Sequence, residues 1–104
     1  YQWLNCGAHK ENPEYKLLPS EFFKRQIYGS FWFEKKTLKP TIDIIGANNI
    51  LYETDFPHPT SMSPGPATSA TFPALYMEEA FEGVARSDVE KIVHGNAARI
   101  YHLD

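Results

Sequence analysis

The sequence contains one cysteine, Cys6, in 104 residues, so it cannot form an intrachain disulfide. A single cysteine excludes a zinc finger built on several thiolates and fits a reducing compartment such as the cytoplasm. Basic residues are also in the minority, with ten Lys and Arg against thirteen Asp and Glu and a formal net charge of -3. Because no basic excess is available to hold a phosphate backbone, we do not expect nucleic acid as a partner.

Long apolar runs are absent as well. No stretch approaches the ~18 consecutive apolar residues that a membrane span needs, so we do not expect a membrane partner. Hydrophobic residues make up 42% and charged residues 22%, which is ordinary for a soluble globular chain. The length allows a single domain with a modest core over residues 1–104.

Familiar catalytic motifs are missing too. The sequence has no H-x-H, H-E-x-x-H or C-x-x-C, no Gly-rich phosphate loop and no nucleophile elbow. Four histidines are present, and none shares metal-ligand spacing with another: His9, His58, His94 and His102. A complete zinc or nucleophile site of a common type is therefore excluded within this sequence.

What the sequence does offer is a βαβ pattern. Residues 27–33, IYGSFWF, are apolar on both faces, and a central glycine with several aromatics favours a strand over a buried helix. Residues 50–54, ILYET, predict a second strand. Residues 37–49 between them predict a helix with Pro40 in its first turn and Gly46 as its C-cap. The strands are expected to be parallel and joined by a right-handed crossover.

Other helices are predicted on both sides of this unit. Before it, a frayed helix end and an extended connection lead to a short turn over residues 21–25, capped by Ser20. After it, residues 56–71 predict a long loop, rich in Pro, Ser and Thr. The following helix is expected to place one apolar stripe in the core, formed by Ala74, Met77, Phe81 and Val84. Its opposite face is acidic and expected to be solvated, with Glu78, Glu79 and Glu82.

The C-terminal residues predict two short helices. Ser87 and Glu90 form a capping-box pair that opens a helix through Val93, and Gly95 is expected to end it. Asn96 is then expected to cap a last helix over residues 97–101.

Asp55 is the first candidate site residue. It follows the second strand and precedes a Pro-His-Pro turn, which places it at the carboxyl end of a parallel strand, where α/β barrels keep their active sites. An ionised carboxylate is a hard oxygen ligand suited to a divalent metal. The alternative, which the local pattern by itself favours, is that Asp55 caps the loop in an Asx-type turn.

His58 and Glu53 flank this candidate. His58 could contact a substrate, although a lone loop histidine is more often a polar surface residue. Glu53 points to the same side as Asp55 because strand side chains alternate. It is either a second carboxylate near a metal or, in the interpretation we favour, the partner of a basic residue. A catalytic zinc takes about three protein ligands, so this chain alone is expected to hold an incomplete site.

Three segments carry a family resemblance: TDFPHPTSMSPG, the preceding GANNILYETD and the closing KIVHGNAARIYHLD. They resemble the C-terminal part of the amidohydrolase-related family of metal-dependent hydrolases and decarboxylases, which includes aminocarboxymuconate-semialdehyde decarboxylase. LPSEFFKRQIYGSFWFE is similar to the segment that enters strand 7 in that family. The resemblance covers residues 18–104 and implies a TIM (β/α)8 barrel with one divalent ion, zinc in most members. Residues 27–33 and 50–54 would then be strands 7 and 8.

The resemblance also implies roles for single residues. Asp55 matches the strand-8 aspartate that binds the metal or lies against its water, and His58 matches a residue at the mouth of the site that receives a small-molecule substrate. The family's H-x-H and mid-barrel histidines have no counterpart here, which implies a partial domain without catalysis of its own.

A two-stranded fragment of a barrel has two open edges. Such a layer would expose Phe31, Phe33 or Trp32, so self-association or pairing with missing barrel segments is expected. The alternative function is a non-catalytic α/β module that works by protein contact.

Overall fold

The computed structural model describes residues 2–32, 34–59, 61 and 71–103. In the described residues, short helices precede, connect and follow the strands of one two-stranded sheet. The elements are, in chain order, α1 (Gln2–Asn5), α2 (Ala8–Glu11), α3 (Pro19–Gln26), β1 (Gly29–Phe31), α4 (Lys35–Ile45), a 3-10 turn (Ala47–Asn49), β2 (Ile50–Tyr52), α5 (Pro73–Ala80), α6 (Arg86–Glu90), a π turn (Lys91–Gly95) and α7 (Asn96–Tyr101). Within these ranges no helix is long and apolar enough to cross a membrane.

The two strands are parallel and joined through α4, as the sequence predicts. Gly29 lies beside Ile50 and Phe31 beside Tyr52, and the Glu53 N–H extends the ladder by donating to the Phe31 carbonyl at 3.1 Å. Both strands are shorter than the predicted ranges.

Strand β1 begins two residues after the predicted start because Ile27 forms the C-terminal cap of the preceding helix. Its N–H donates to the Phe23 carbonyl at 2.9 Å as the C-cap of α3. Its carbonyl accepts the side-chain amide of Asn49 at 2.8 Å. Residue 33, at the other end of the predicted strand, lies outside the described residues.

Helix α4 begins two residues before the predicted range. It starts at Lys35, so Pro40 lies in the second turn and not in the first. Its C-terminal end is as predicted, because Gly46 adopts φ 82 and its N–H donates to the Ile42 carbonyl at 2.8 Å. That φ is favourable for glycine and strained for residues with a Cβ.

The sheet has one covered face and one open face. Phe31 and Ile50 are buried on the face that packs against the helices. Because side chains alternate along a strand, Ser30 and Leu51 point to the opposite face, where Ser30 is exposed and Leu51 half-buried. The core lies between the covered face and the helices, and its buried apolar members are Phe31, Leu38, Ala47, Ile50, Tyr76, Ala80, Phe81 and Ile92.

This packing corrects the expected exposure of the first strand. Phe31 is only 6% exposed, and Trp32 is half-buried against the core. The large exposed apolar side chains lie elsewhere, among them Ile44, Phe56 and Phe72. Helices from the same chain therefore cover one face of the sheet. The predicted exposure applied to the two strands without these helices.

Helix α3 begins two residues before the predicted start at residue 21. Helix α3 starts at Pro19, and the Glu21 carboxylate accepts the Leu18 N–H at 2.6 Å. Ser20 lies inside the first turn and is not the cap. Proline is well suited to the first helical position because its missing N–H would have no intrahelical partner there.

The predicted core stripe holds for three of its four residues, because Phe81 is buried and Met77 and Val84 pack against the core. Tyr76 and Ala80 are the buried residues of this helix, whereas Ala74 is exposed. The helix ends at Ala80, so Phe81 and Val84 lie beyond it and Phe81 reaches the core from a turn. The predicted solvated acidic residues, Glu78, Glu79 and Glu82, are exposed.

The C-terminal segment is one continuous helical run from Arg86 to Tyr101, and not two capped helices. Ala85 holds the N-cap position, so Ser87 is not a cap. Gly95 has helical angles, φ -62 and ψ -38, and does not end the helix. The run continues through a π turn, which widens the helix at this point.

Asn96 is not the predicted helix cap. It is 2% exposed, and its side-chain amide donates to the carbonyls of Ala47 at 2.7 Å and Ile50 at 2.8 Å. Those bonds tie the C-terminal run to the start of β2. A tertiary contact thus replaces the local capping role that asparagine often has.

Candidate functional site

Asp55 lies just beyond the carboxyl end of β2. The strand ends at Tyr52, and Asp55 adopts φ 55, in the left-handed region that aspartate enters more readily than most residues. The His58 N–H donates to the Asp55 carbonyl oxygen at 2.9 Å and closes a turn over residues 55–58. The chain therefore reverses directly after the strand and brings His58 back over Asp55.

The two predicted site residues are in contact. His58 Nδ1 lies 3.3 Å from Asp55 Oδ2. The Asp55 side chain is 35% exposed and that of His58 59% exposed, so both remain open to a ligand. An exposed pair of this kind stabilises a protein by at most about 1 kcal/mol, so its geometry is of more interest than its energy.

Glu53 has a different partner from the one we favoured. The Ser30 hydroxyl of β1 donates to Glu53 Oε1 at 2.9 Å. Among the described residues, this carboxylate therefore meets a neutral hydroxyl and no basic side chain. It lies on the open face of the sheet, as the alternation of strand residues predicts.

These residues do not form a complete metal centre. Within the described ranges, no group of three or more His, Cys, Asp or Glu side chains is placed to hold a metal ion. Asp55 and His58 could supply one carboxylate oxygen and one imidazole nitrogen, whereas a catalytic zinc takes about three protein ligands. The described part of the chain fits a divalent ion as a contributor of ligands and not as its whole site.

A pair of tyrosines lies at the end of the same strand. Tyr52 and Tyr76 are stacked, with ring centroids 6.4 Å apart and planes 14° from parallel. Burial raises the pKa of Tyr52. Burial, followed by the negative charge of Glu34 and by Tyr52, raises the pKa of Tyr76 to about 12. Both hydroxyls therefore stay protonated at neutral pH.

The burial of Tyr76 was not predicted from the sequence. Its side chain is 3% exposed, and its hydroxyl has no hydrogen-bond partner among the described residues. The Lys35 ammonium lies over its ring, 5.4 Å from the centroid, and also pairs with Glu79. A stripe drawn through residues 76 and 80 would have found it, because those positions are also one helical turn apart.

Two asparagines hold the strand that carries the site. The Asn49 side-chain amide donates to the Ile27 carbonyl, two residues before β1, and that of Asn96 donates to the carbonyls of Ala47 and Ile50, before and at the start of β2. Both are buried, and neither was predicted to have this role. They fix where β2 begins and therefore where Asp55 emerges from it.

Comparison with known proteins gives one finding. No curated protein and no solved structure matches the chain. A family model described as Amidohydrolase matches residues 8–103, which is nearly the whole chain and extends the resemblance back through α2. The parallel strands are consistent with that family, and the chain belongs to the amidohydrolase family.

Proposed function

We propose that this chain is the C-terminal segment of a metal-dependent enzyme of the amidohydrolase family and supplies two strands of a (β/α)8 barrel. One observation carries the proposal: within a family match, Asp55 lies at the carboxyl end of a parallel strand, in contact with His58. Active sites of such barrels lie at the carboxyl ends of the strands.

The proposed role of Asp55 is that of a metal ligand and proton acceptor. Its carboxylate would provide one oxygen to a divalent ion, zinc by family resemblance, with the remaining ligands supplied from outside the described residues. Such an ion lowers the pKa of a bound water and polarises a substrate. As a general base, Asp55 would accept a proton at a carboxylate oxygen.

The proposed role of His58 is to contact the substrate and orient Asp55. Its contact with Oδ2 restricts how the carboxylate can rotate and leaves the other oxygen available. The His58 side chain is also the more exposed of the two, so it would meet an incoming small molecule first.

The proposed reaction is hydrolysis or non-oxidative decarboxylation of a small carboxylate substrate, on the strength of the family alone. The isolated chain is proposed to be inactive, because its described residues offer fewer ligands than a catalytic metal needs.

Metal content tests this proposal. In the full-length product of the gene that encodes this chain, Asp55→Asn should lose most of its bound metal, as measured by plasma mass spectrometry. Asp43→Asn is the matched control, because Asp43 is an exposed aspartate whose partner is Lys39 on α4. Full metal content and activity in the Asp55→Asn protein would exclude the proposed role.

A non-catalytic interaction module is the second candidate. The chain has a radius of gyration of 17.1 Å, whereas a compact domain of this length has about 13 Å. Exposed Ile44, Phe56 and Phe72 add apolar surface for a partner. A full-length protein that binds no metal, together with a stable complex of this chain with another protein, would favour this function.

A further inference from the structure

Glu53 places a carboxylate on the face of the sheet that the helices leave open. Tyr52 before it belongs to the covered face and packs against the core. Glu53 is half-buried beside Ser30, whose hydroxyl donates to Oε1 at 2.9 Å. The second carboxylate oxygen has no partner among the described residues.

No basic side chain of this chain is available to neutralise that carboxylate. All ten Lys and Arg residues lie within the described ranges, and none of them forms an ion pair with Glu53. The sequence of the remaining positions, 1, 33, 60, 62–70 and 104, contains no Lys, Arg or His. A cationic side chain that reaches Glu53 must therefore come from outside residues 1–104.

We propose that Glu53 is the docking point for a Lys or Arg side chain of the polypeptide that covers the open face of this sheet. The inference rests on the proposed function, in which further strands close the sheet into a barrel. Closure removes water from the open face, and a buried carboxylate without a cation is strongly destabilising.

A basic side chain fits the geometry better than a metal ion does. Ser30 already occupies one oxygen of Glu53 and leaves the other free, which suits a single charge-assisted hydrogen bond. Among the described residues, Glu53 belongs to no group of three or more His, Cys, Asp or Glu side chains that could hold a metal ion. Docking would therefore position the chain in its barrel and would not create a second metal centre.

Thermal unfolding of the full-length product of the gene tests the inference. Glu53→Gln keeps an acceptor for Ser30 and removes the charge, so it should lower the Tm by roughly 5 °C or more. Glu53→Asp keeps the charge and should lose less. Glu82→Gln, at an exposed glutamate, is the matched control and should leave the Tm unchanged. If a variant yields too little folded protein for a melting experiment, the amount of soluble protein should rank the variants in the same way, highest for Glu82→Gln, lower for Glu53→Asp and lowest for Glu53→Gln.

Other outcomes would overturn the inference. Equal stability of the Glu53→Gln and Glu82→Gln proteins would show that no cation docks there, and so would a Glu53→Asp protein as unstable as Glu53→Gln. A loss of bound metal in Glu53→Gln would assign the carboxylate to a metal ion instead. A raised KM with an unchanged Tm would assign it to a cationic group of the substrate. Metal loss in Asp55→Asn tests the proposed function separately, so the two ideas can fail independently.

Discussion

The imidazole of His58 lies 3.3 Å from Asp55 Oδ2, and its own backbone N–H donates to the Asp55 carbonyl at 2.9 Å. Two contacts between the same pair make a tight turn at the end of β2. The side-chain contact therefore depends on the backbone turn, and a change that opens the turn also separates the two groups.

Zinc binding by the isolated chain should be weak and should depend on Asp55. One carboxylate and one imidazole provide too few ligands for tight binding. Isothermal titration with Zn²⁺ should give a small signal that Asp55→Ala removes, with no hydrolase or decarboxylase turnover. Tight one-to-one binding that survives Asp55→Ala would refute the ligand assignment, and turnover by the purified chain would refute its proposed incompleteness.

Replacing Asn96 by Ala should destabilise the fold by roughly 2 to 4 kcal/mol, because two buried carbonyls lose their donor. Urea denaturation followed by circular dichroism measures the change. The matched control is Asn48→Ala, since the Asn48 side chain is exposed, and it should change stability by less than about 0.5 kcal/mol. Similar midpoints for the two variants would mean that the buried amide is not a structural cross-link.

Tyr76 should make the chain sensitive to alkaline pH. Burial raises the pKa of Tyr76 from its ordinary value of 10.0 to about 12, so its stabilising effect is complete below pH 10 and is lost between pH 10 and about 12. Urea midpoints measured from pH 8 to 12 should fall less for Tyr76→Phe than for the original chain, and parallel curves would contradict the expectation.

Phe81 should be far more important to stability than exposed Phe72. Phe81 is 8% exposed and packs edge-on against Phe31, with centroids 5.9 Å apart, whereas Phe72 is 63% exposed. Phe81→Ala should therefore cost about 3 to 5 kcal/mol. Phe72→Ala should cost less than about 1 kcal/mol, and comparable losses in thermal melts would show that the core is placed wrongly.

The isolated chain should not remain a free monomer. The sheet has only two described strands, so unpaired N–H and C=O groups remain along its edges, and Ile44 and Phe56 add exposed apolar surface. Light scattering at micromolar concentration should give a mass above 11.9 kDa. A stable monomer at all concentrations would argue against both self-association and a missing barrel.

Local patterns in the sequence were enough to predict the parallel strands, the helix between them and the position of Asp55 beyond the second strand. An apolar run of strand length, a helical repeat and a terminating glycine each involve only neighbouring residues, so they can be recognised without the tertiary structure. The contact of His58 with Asp55 was not predicted and depends on the turn over residues 55–58.

Tertiary packing alone decided the ends of several elements and the partners of the polar side chains. Gly95 and Asn96 look like a helix end and a cap, yet the helical run continues because the Asn96 amide finds buried carbonyls at the start of β2. Tyr76 is buried because α5 packs it against Phe31, whereas the helical repeat alone fits a stripe through residues 74 and 77 as well as one through residues 76 and 80. Capping preferences amount to about 1 kcal/mol, so burial of an aromatic ring or of an amide with two acceptors overrides them.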